Sequence, residues 1–222
     1  MNLTEQAVAA AQKHFALRED TPAAYAAMRY PKLLPMMHFT VHRYRAAGFG
    51  TVMTMDTNAM FGMMRLSTIV FTPAAGATVP FLLIDTMQMK KKSLAYVEYY
   101  DCTQGGAALP GAEGQPQEFA NFPDYAEKPA WYVARRTPYS LIKEKGDNTQ
   151  QQLDDMVLTC LGRYLAAAEA APKDPANLMG LRSFRQEMLD KGNPSSATLN
   201  KVLGEAGART FFETVIMPVD PA

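Results

Sequence analysis

The chain has 222 residues, of which 48% are hydrophobic and 20% are charged. This is the composition of an ordinary globular protein with a substantial core, and no Ser/Gly-rich or charged tract divides it. We therefore expect a single domain over residues 1–222. The 22 basic and 22 acidic side chains cancel, and a chain without net charge has no long-range field to hold it on phosphate backbones or anionic lipid. We expect no nucleic-acid partner and no membrane partner.

The N-terminal segment has none of the features of a signal peptide, and no run approaches the roughly 18 apolar residues of a membrane span. The sequence thus predicts a cytoplasmic protein. Cys102 and Cys160 are too few for a disulfide framework, and no CxxC or HExxH spacing indicates zinc. We expect both thiols to be reduced and structural, and we expect no metal site.

The first predicted elements are two short helices between Thr4 and about Met28, because this segment is Ala-rich, Thr4 can cap a helix, and a second helix could start at Pro22. A central antiparallel meander follows between about Arg43 and Asp101. Its strand-like runs are separated by gaps too short for a parallel crossover. The nearly continuous apolar run over 79–89 predicts a strand covered on both faces, and hence helices on each side of the sheet.

Residues 103–128 are rich in Gly, Pro, Gln and acidic residues without periodicity, which predicts a flexible loop. A short strand is expected over 139–142, and the rest of the chain is expected to form helices. The predicted fold is α+β: a three-layer α/β/α sandwich with a central antiparallel β-sheet and C-terminal helices. The helices are predicted at about 149–170, 177–189 and 195–212, with a break at 191–194.

Asp85 stands inside the apolar run, where a carboxylate is costly unless a partner or a proton relieves it. If the hairpins on either side are tight, Leu66 or Ser67 lies opposite Asp85 on one neighbouring strand, with Arg65 nearby, and Glu98 lies opposite it on the other. Two hypotheses are open. One is a salt bridge with Arg65, and the other is a carboxyl pair with Glu98 that holds one proton and keeps an acid available near neutral pH.

Nine of the fifteen methionines lie between Met36 and Met89. A Met-rich sheet face suits a large, flat, polarizable ligand, although Met is also ordinary core. Two basic clusters could likewise have either a structural or a binding role. The lysines at 90–92 fit a solvated hairpin tip or a docking patch for an acidic protein, and the arginines at 135 and 136 could clamp a carboxylate.

Three stretches resemble the ferredoxin-dependent bilin reductases and their relative, red chlorophyll catabolite reductase. Residues 64–73 with 79–85 resemble that family's strand, Phe-Pro turn and Leu-Pro-led strand, and Asp85 falls on its central aspartate. Residues 129–131 with 137–141 resemble its Pro-Trp and Ser-Pro-Tyr stretches. Residues 192–194 with 201–206 resemble its Asn-Asp-Pro-Ala-Arg element and Phe-Gly-Glu helix. The resemblance runs in register over most of the chain from Gly48 onwards.

The resemblance implies binding and ferredoxin-dependent reduction of a linear tetrapyrrole, in a pocket between the sheet and the C-terminal helices. It implies no bound metal or flavin, electrons from a ferredoxin-like donor, and Asp85 as the proton donor, tuned by Glu98. The substrate-binding residues that it implies are Arg65, Ser67, Asn193, Met55, Met87 and Tyr139.

The sequence also departs from the family. Ser67 stands where some members have a histidine, and Met55 or Asp56 stands where others have a strand glutamate. Asn193 replaces an aspartate that many members use as a second proton donor. These losses favour an alternative function, a non-catalytic tetrapyrrole or other small-molecule binding protein that retains the fold. A flavin- or haem-binding domain would need a phosphate-cradling Gly motif or an axial histidine, and neither is evident.

Overall fold

The apolar runs in the middle of the sequence form one antiparallel sheet. It is seen in a computed structural model that describes residues 1–31, 33–102, 108–146, 150–193 and 195–219. Over those residues the sheet has eight strands. They are β1 (Leu17–Glu19), β2 (Ala27–Tyr30), β3 (Met37–Ala46), β4 (Gly50–Ala59), β5 (Met64–Thr72), β6 (Phe81–Met89), β7 (Lys92–Tyr100) and β8 (Leu141–Gly146).

Strands β3 to β8 pair in chain order, and the short β1 and β2 both pair with the outer edge of β3. The expected meander is confirmed, and its pairing begins earlier than expected, at Met37. In the middle of the sheet, Thr68 of β5 and Tyr96 of β7 lie opposite Asp85 of β6. These three side chains therefore share one face.

Helices cover both faces, as expected for a three-layer α/β/α sandwich. The helices are α1 (Leu3–Ala11), α2 (Gln115–Glu118), α3 (Gln150–Ala170), α4 (Pro175–Asp190) and α5 (Ser196–Phe211). The side chains of α1 and α3 pack on the face that carries Leu82 and Ile84. Those of α4 and α5 pack on the other face, against residues such as Val70 and Phe81. The fold class predicted from the sequence is confirmed.

The N-terminal prediction was wrong in part. Helix α1 begins at Leu3 with Asn2 as its cap, and the segment that follows forms β1 and β2 instead of a second helix. The reason lies in Thr21, whose hydroxyl accepts the N–H of Arg43 in β3 at 2.9 Å. That hydroxyl secures the chain to the sheet edge and caps no helix.

The flexible loop predicted over 103–128 is also corrected. Residues 103–107 lie outside the described residues, residues 108–122 pack against the α1–α3 side of the protein, and residues 125–128 reach the other face of the sheet. Leu109, Ala112 and Phe122 are buried there, and the side-chain amide of Gln115 donates to the carbonyl of Tyr139 at 2.9 Å. Apolar residues spaced this widely carry no periodic signal, so the sequence pattern did not reveal that they are buried.

The three C-terminal helices are confirmed close to their predicted bounds. Helix α5 is interrupted at Gly204, whose φ of 72° lies in the left-handed region, and it continues into a π-helical turn over Phe212–Ile216. Among the described helices, none has both the length and the apolar character needed to span a lipid bilayer. Cys102 and Cys160 are both buried free thiols.

Candidate functional site

A cavity of about 460 Å³ lies between the sheet and α5. Its floor is the face of β4 to β7 that carries Asp85, and its walls come from residues 125–136 and from the start of α5. Strand alternation places every second residue of each strand on this floor. The polar and charged side chains that line the cavity are Thr57, Thr68, Asp85, Thr86, Tyr96, Glu98, Tyr125, Glu127, Lys128, Tyr132, Arg136, Ser195 and Thr198.

Asp85 is half-buried at the centre of the floor. The hydroxyl of Thr68, directly opposite on β5, donates to its Oδ1 at 2.5 Å. Burial raises the pKa of Asp85 to about 6, and the Thr68 hydrogen bond acts in the opposite direction. A carboxyl group with this pKa changes its protonation state close to neutral pH.

Glu98 lies on the same face as Asp85, two residues beyond the residue opposite it, and its side chain is only 2% exposed. Its Oε1 accepts from the Tyr100 hydroxyl at 2.6 Å and from Nε of Arg136 at 2.7 Å. The Arg136 guanidinium also holds Glu127 through two hydrogen bonds. Arg136 therefore holds two carboxylates, and both belong to the protein itself.

Asp85 and Glu98 form a pair with unequal surroundings. Burial raises the pKa of Glu98, with the nearby charge of Asp85 adding to the rise and Arg136 opposing it. Among the described residues, Arg136 contacts Glu98 and Glu127 and forms no ion pair with Asp85. Arg136 and the Tyr100 hydroxyl favour the charged form of Glu98, but burial outweighs them and raises its pKa to about 7, against about 6 for Asp85, so both carboxyl groups take up protons close to neutral pH.

The rest of the floor is apolar and polarizable. Met55 and Met87 line the cavity, together with Met37 and Met64. Burial raises the pKa of the Tyr96 phenol, so this ring presents a neutral hydroxyl beside Asp85. The floor suits a flat, extended ligand with polar groups near its centre.

Arg65 and Ser67 do not lie with Asp85. Asp85 pairs with the even-numbered Thr68, so the odd-numbered residues of β5 point to the opposite face. Ser67 donates there to Asp56 at 2.7 Å, and Arg65 is exposed. The hypothesis of an Arg65–Asp85 salt bridge and the predicted convergence of Arg65 and Ser67 on Asp85 were both wrong.

Two further expected binding residues do not line the cavity. The side-chain oxygen of Asn193 accepts the N–H of Ser195 at 3.0 Å, and its amide donates to the carbonyl of Met188. Asn193 thus stabilises the turn before α5, and it is Ser195 that reaches the cavity wall. Tyr139 packs on the opposite side of the sheet, against the α1–α3 core.

Several residues that line the cavity were not singled out as site residues from the sequence, and Thr68, Tyr96 and Glu127 are three of them. The first two could have been found by listing the partners of Asp85 that have the correct strand parity. Glu127 carried no such signal because it lies in an irregular segment. Among the described residues, no group of three or more His, Cys, Asp or Glu side chains could hold a metal ion.

Comparison of the chain with protein-family models and with curated protein sequences gives no match. Comparison with solved structures gives phytochromobilin synthase from tomato, in complex with biliverdin, at a TM-score of 0.77 and 10% sequence identity. The match covers 98% of this chain and 82% of that chain. The chain has the fold of that synthase. At this identity the likeness is one of architecture alone. The resemblance found in the sequence is therefore confirmed for the fold, a bilin-reductase-like sandwich.

Proposed function

We propose that this protein binds a linear tetrapyrrole in the cavity over β4 to β7 and reduces it, with Asp85 as the proton donor. The observation that carries the proposal is a carboxyl group with a raised pKa at the centre of an apolar, methionine-lined floor. The fold adds support, because the synthase that shares it was crystallised with biliverdin, a linear tetrapyrrole. A volume of about 460 Å³ also falls within the range of roughly 300–1,000 Å³ that is usual for small-molecule sites.

The chemistry divides between the pigment, an external electron donor and the protein. Reduction of one double bond takes two electrons and two protons, and a ferredoxin-like protein would supply the electrons singly. Asp85 would deliver one proton to the pigment, and the second proton would come from water or from Asp85 after solvent has reprotonated it. Glu98 is fixed by Arg136 and Tyr100, and when it is ionised its negative charge would favour the protonated form of Asp85.

The second candidate function is a non-catalytic tetrapyrrole or other small-molecule binding protein. Asn193 favours it, since an amide occupied in a turn cannot deliver a second proton. Both candidates predict a change in the pigment spectrum on binding. Only the first predicts that a reduced ferredoxin then bleaches or shifts that spectrum.

The test is to add biliverdin to the protein, record the absorption spectrum, and then add reduced ferredoxin without oxygen. Asp85→Asn should bind the pigment and lose turnover by about 100-fold, the usual scale for a positioned proton donor. Asp56→Asn is the matched control. Asp56 lies on the opposite face of the sheet, where it accepts from Thr4 and Ser67, and its substitution should leave turnover unchanged.

Each outcome has a definite reading. Turnover that survives Asp85→Asn contradicts the role of Asp85. Pigment binding without turnover in the unsubstituted protein establishes the non-catalytic function instead. If biliverdin leaves the spectrum unchanged at every concentration, both candidates are wrong for this pigment.

A further inference from the structure

Six large apolar side chains are exposed together at the end of the sheet where β3, β5 and β7 begin. They lie on two neighbouring connections, residues 33–36 before β3 and residues 60–63 between β4 and β5. The connection beside them, residues 90–91 between β6 and β7, carries two lysines. We call the apolar members the tip cluster. Its residues and exposed fractions are Leu33 (100%), Leu34 (68%), Met36 (43%), Met60 (48%), Phe61 (73%) and Met63 (57%).

The backbone ties the tip cluster together. The N–H of Met60 donates to the carbonyl of Met36 at 2.8 Å, and the N–H of Met63 donates to the carbonyl of Met60 at 3.3 Å. The cluster is also continuous with the cavity, because Met37 and Met64, which follow Met36 and Met63 in the chain, line it. Exposed apolar clusters of this kind mark interaction surfaces.

The turn between β4 and β5 has an unusual backbone. Met60 and Phe61 have φ values of 53° and 57°, in the left-handed region that bulky side chains rarely adopt. Glycine or asparagine would fit these positions with less strain. Strained positions cluster at functional surfaces, and the strain here is coupled to an exposed aromatic ring.

Positive charge flanks the tip cluster. Lys90 and Lys91 are exposed and form no ion pair with the described residues, whereas the amine of Lys92 pairs with Glu144 at 2.5 Å. None of the three connections contains Asp or Glu. A chain without net charge can still attract an anionic surface over short range, because charges are screened beyond about 10 Å at 0.1 M salt.

We propose that the tip cluster inserts into the interface of an anionic membrane, with Lys90 and Lys91 at the lipid headgroups. Apolar side chains flanked by lysines are the pattern of interfacial membrane binding. A symmetric dimer through the same tips would bring the lysines of both copies together. An acidic protein partner would match the lysines but would leave the fully exposed Leu33 and the strained Phe61 without a role. The proposal does not depend on the proposed function, and docking in this way places one end of the cavity at the lipid surface.

The test is co-sedimentation of the protein with vesicles of phosphatidylcholine, alone or mixed with phosphatidylglycerol. The protein should bind the mixed vesicles more tightly. The double change Lys90→Glu with Lys91→Glu should weaken that binding at least tenfold, because each lysine near the surface contributes to the attraction of anionic lipid. Phe61→Asn should weaken it by a similar factor, and asparagine tolerates the left-handed backbone, so the fold is kept. Met179→Ser is the matched control, since Met179 is 67% exposed on α4, outside the tip cluster.

A second measurement reports insertion directly. The emission of Phe61→Trp should shift to the blue with anionic vesicles, and that of Met179→Trp should not. The proposal is overturned if the unsubstituted protein binds neither vesicle, if it binds both equally, or if Phe61→Asn binds as well as the parent. Tip-dependent self-association, or tip-dependent binding of an acidic ferredoxin without vesicle binding, overturns it in favour of a protein partner.

Discussion

At the scale of single residues, three carboxyl groups among the described residues line the cavity, and they differ in their partners. Asp85 has one neutral donor, Thr68, whereas Glu98 and Glu127 share the guanidinium of Arg136. The side chains of Arg136 and Glu98 are only 8% and 2% exposed. Such a pair adds little net stability over an apolar pair, but it is costly to break from one side because a buried charge is then left alone.

Replacing Arg136 with Met should therefore destabilise the protein by about 3 to 5 kcal/mol at pH 8. The loss should be smaller at pH 5, where Glu98 takes up a proton. Urea denaturation at both pH values measures the effect. Arg135→Met is the control, because Arg135 is 40% exposed in its ion pair with Glu187 and such pairs contribute at most about 1 kcal/mol. The double change Arg136→Met with Glu98→Gln should recover much of the loss. No recovery would mean that packing, and not the stranded charge, causes it.

At the scale of elements, the turn between β4 and β5 contains residues in the left-handed backbone region. The left-handed Phe61 is 73% exposed, so Phe61→Gly removes little buried area and relieves backbone strain. It should stabilise the protein by about 0.5 to 1 kcal/mol, after the higher entropy of glycine in the unfolded chain is counted. Gly62, with a φ of 88°, gives the opposite test. Gly62→Ala should destabilise by about 1 kcal/mol without a clash, since its nearest atom is 3.8 Å from the added Cβ. Urea midpoints that move in the same direction for both variants would contradict this account.

The register shows how far the sequence could lead. Periodicity and turn residues identified the meander, the three C-terminal helices and Asp85 as an anomaly. Tight hairpins predicted Leu66 or Ser67 opposite Asp85 on one side and Glu98 on the other, whereas the structure puts Thr68 and Tyr96 there. Glu98 is two residues from Tyr96, so its side chain still lies on the same face as Asp85. The prediction that Arg65 lies beside Asp85 failed because neighbouring residues of a strand point to opposite faces. The register depends on the length of the connection between two strands, and composition does not fix that length.

At the scale of the whole molecule, the sheet separates two apolar clusters with different surroundings. The α1–α3 side forms a continuous core, which residues 108–122 close. Helices α4 and α5 cover only part of the opposite face, and the cavity lies between that face and α5, over Asp85. The first cluster contains no part of the proposed site. Changes at Asp85 should therefore alter global stability mainly through its titration.

The pH dependence of stability tests that titration. A carboxyl group whose pKa rises from 3.8 in the unfolded chain to about 6 in the folded protein binds more protons when folded. Its contribution is thus fully present below about pH 4 and is lost as the pH rises through 6. Asp85→Asn cannot titrate, so its stability relative to the parent should rise between pH 4 and pH 8 by up to about 3 kcal/mol, at 1.36 kcal/mol for each pKa unit. Thr68→Val removes the hydrogen bond that lowers this pKa, and it should move the midpoint of the parent's pH dependence upward. Urea denaturation across this pH range measures both effects. A difference between Asp85→Asn and the parent that stays constant with pH would show that Asp85 titrates as it does in the unfolded chain, and it would remove the acid on which the proposed proton transfer depends.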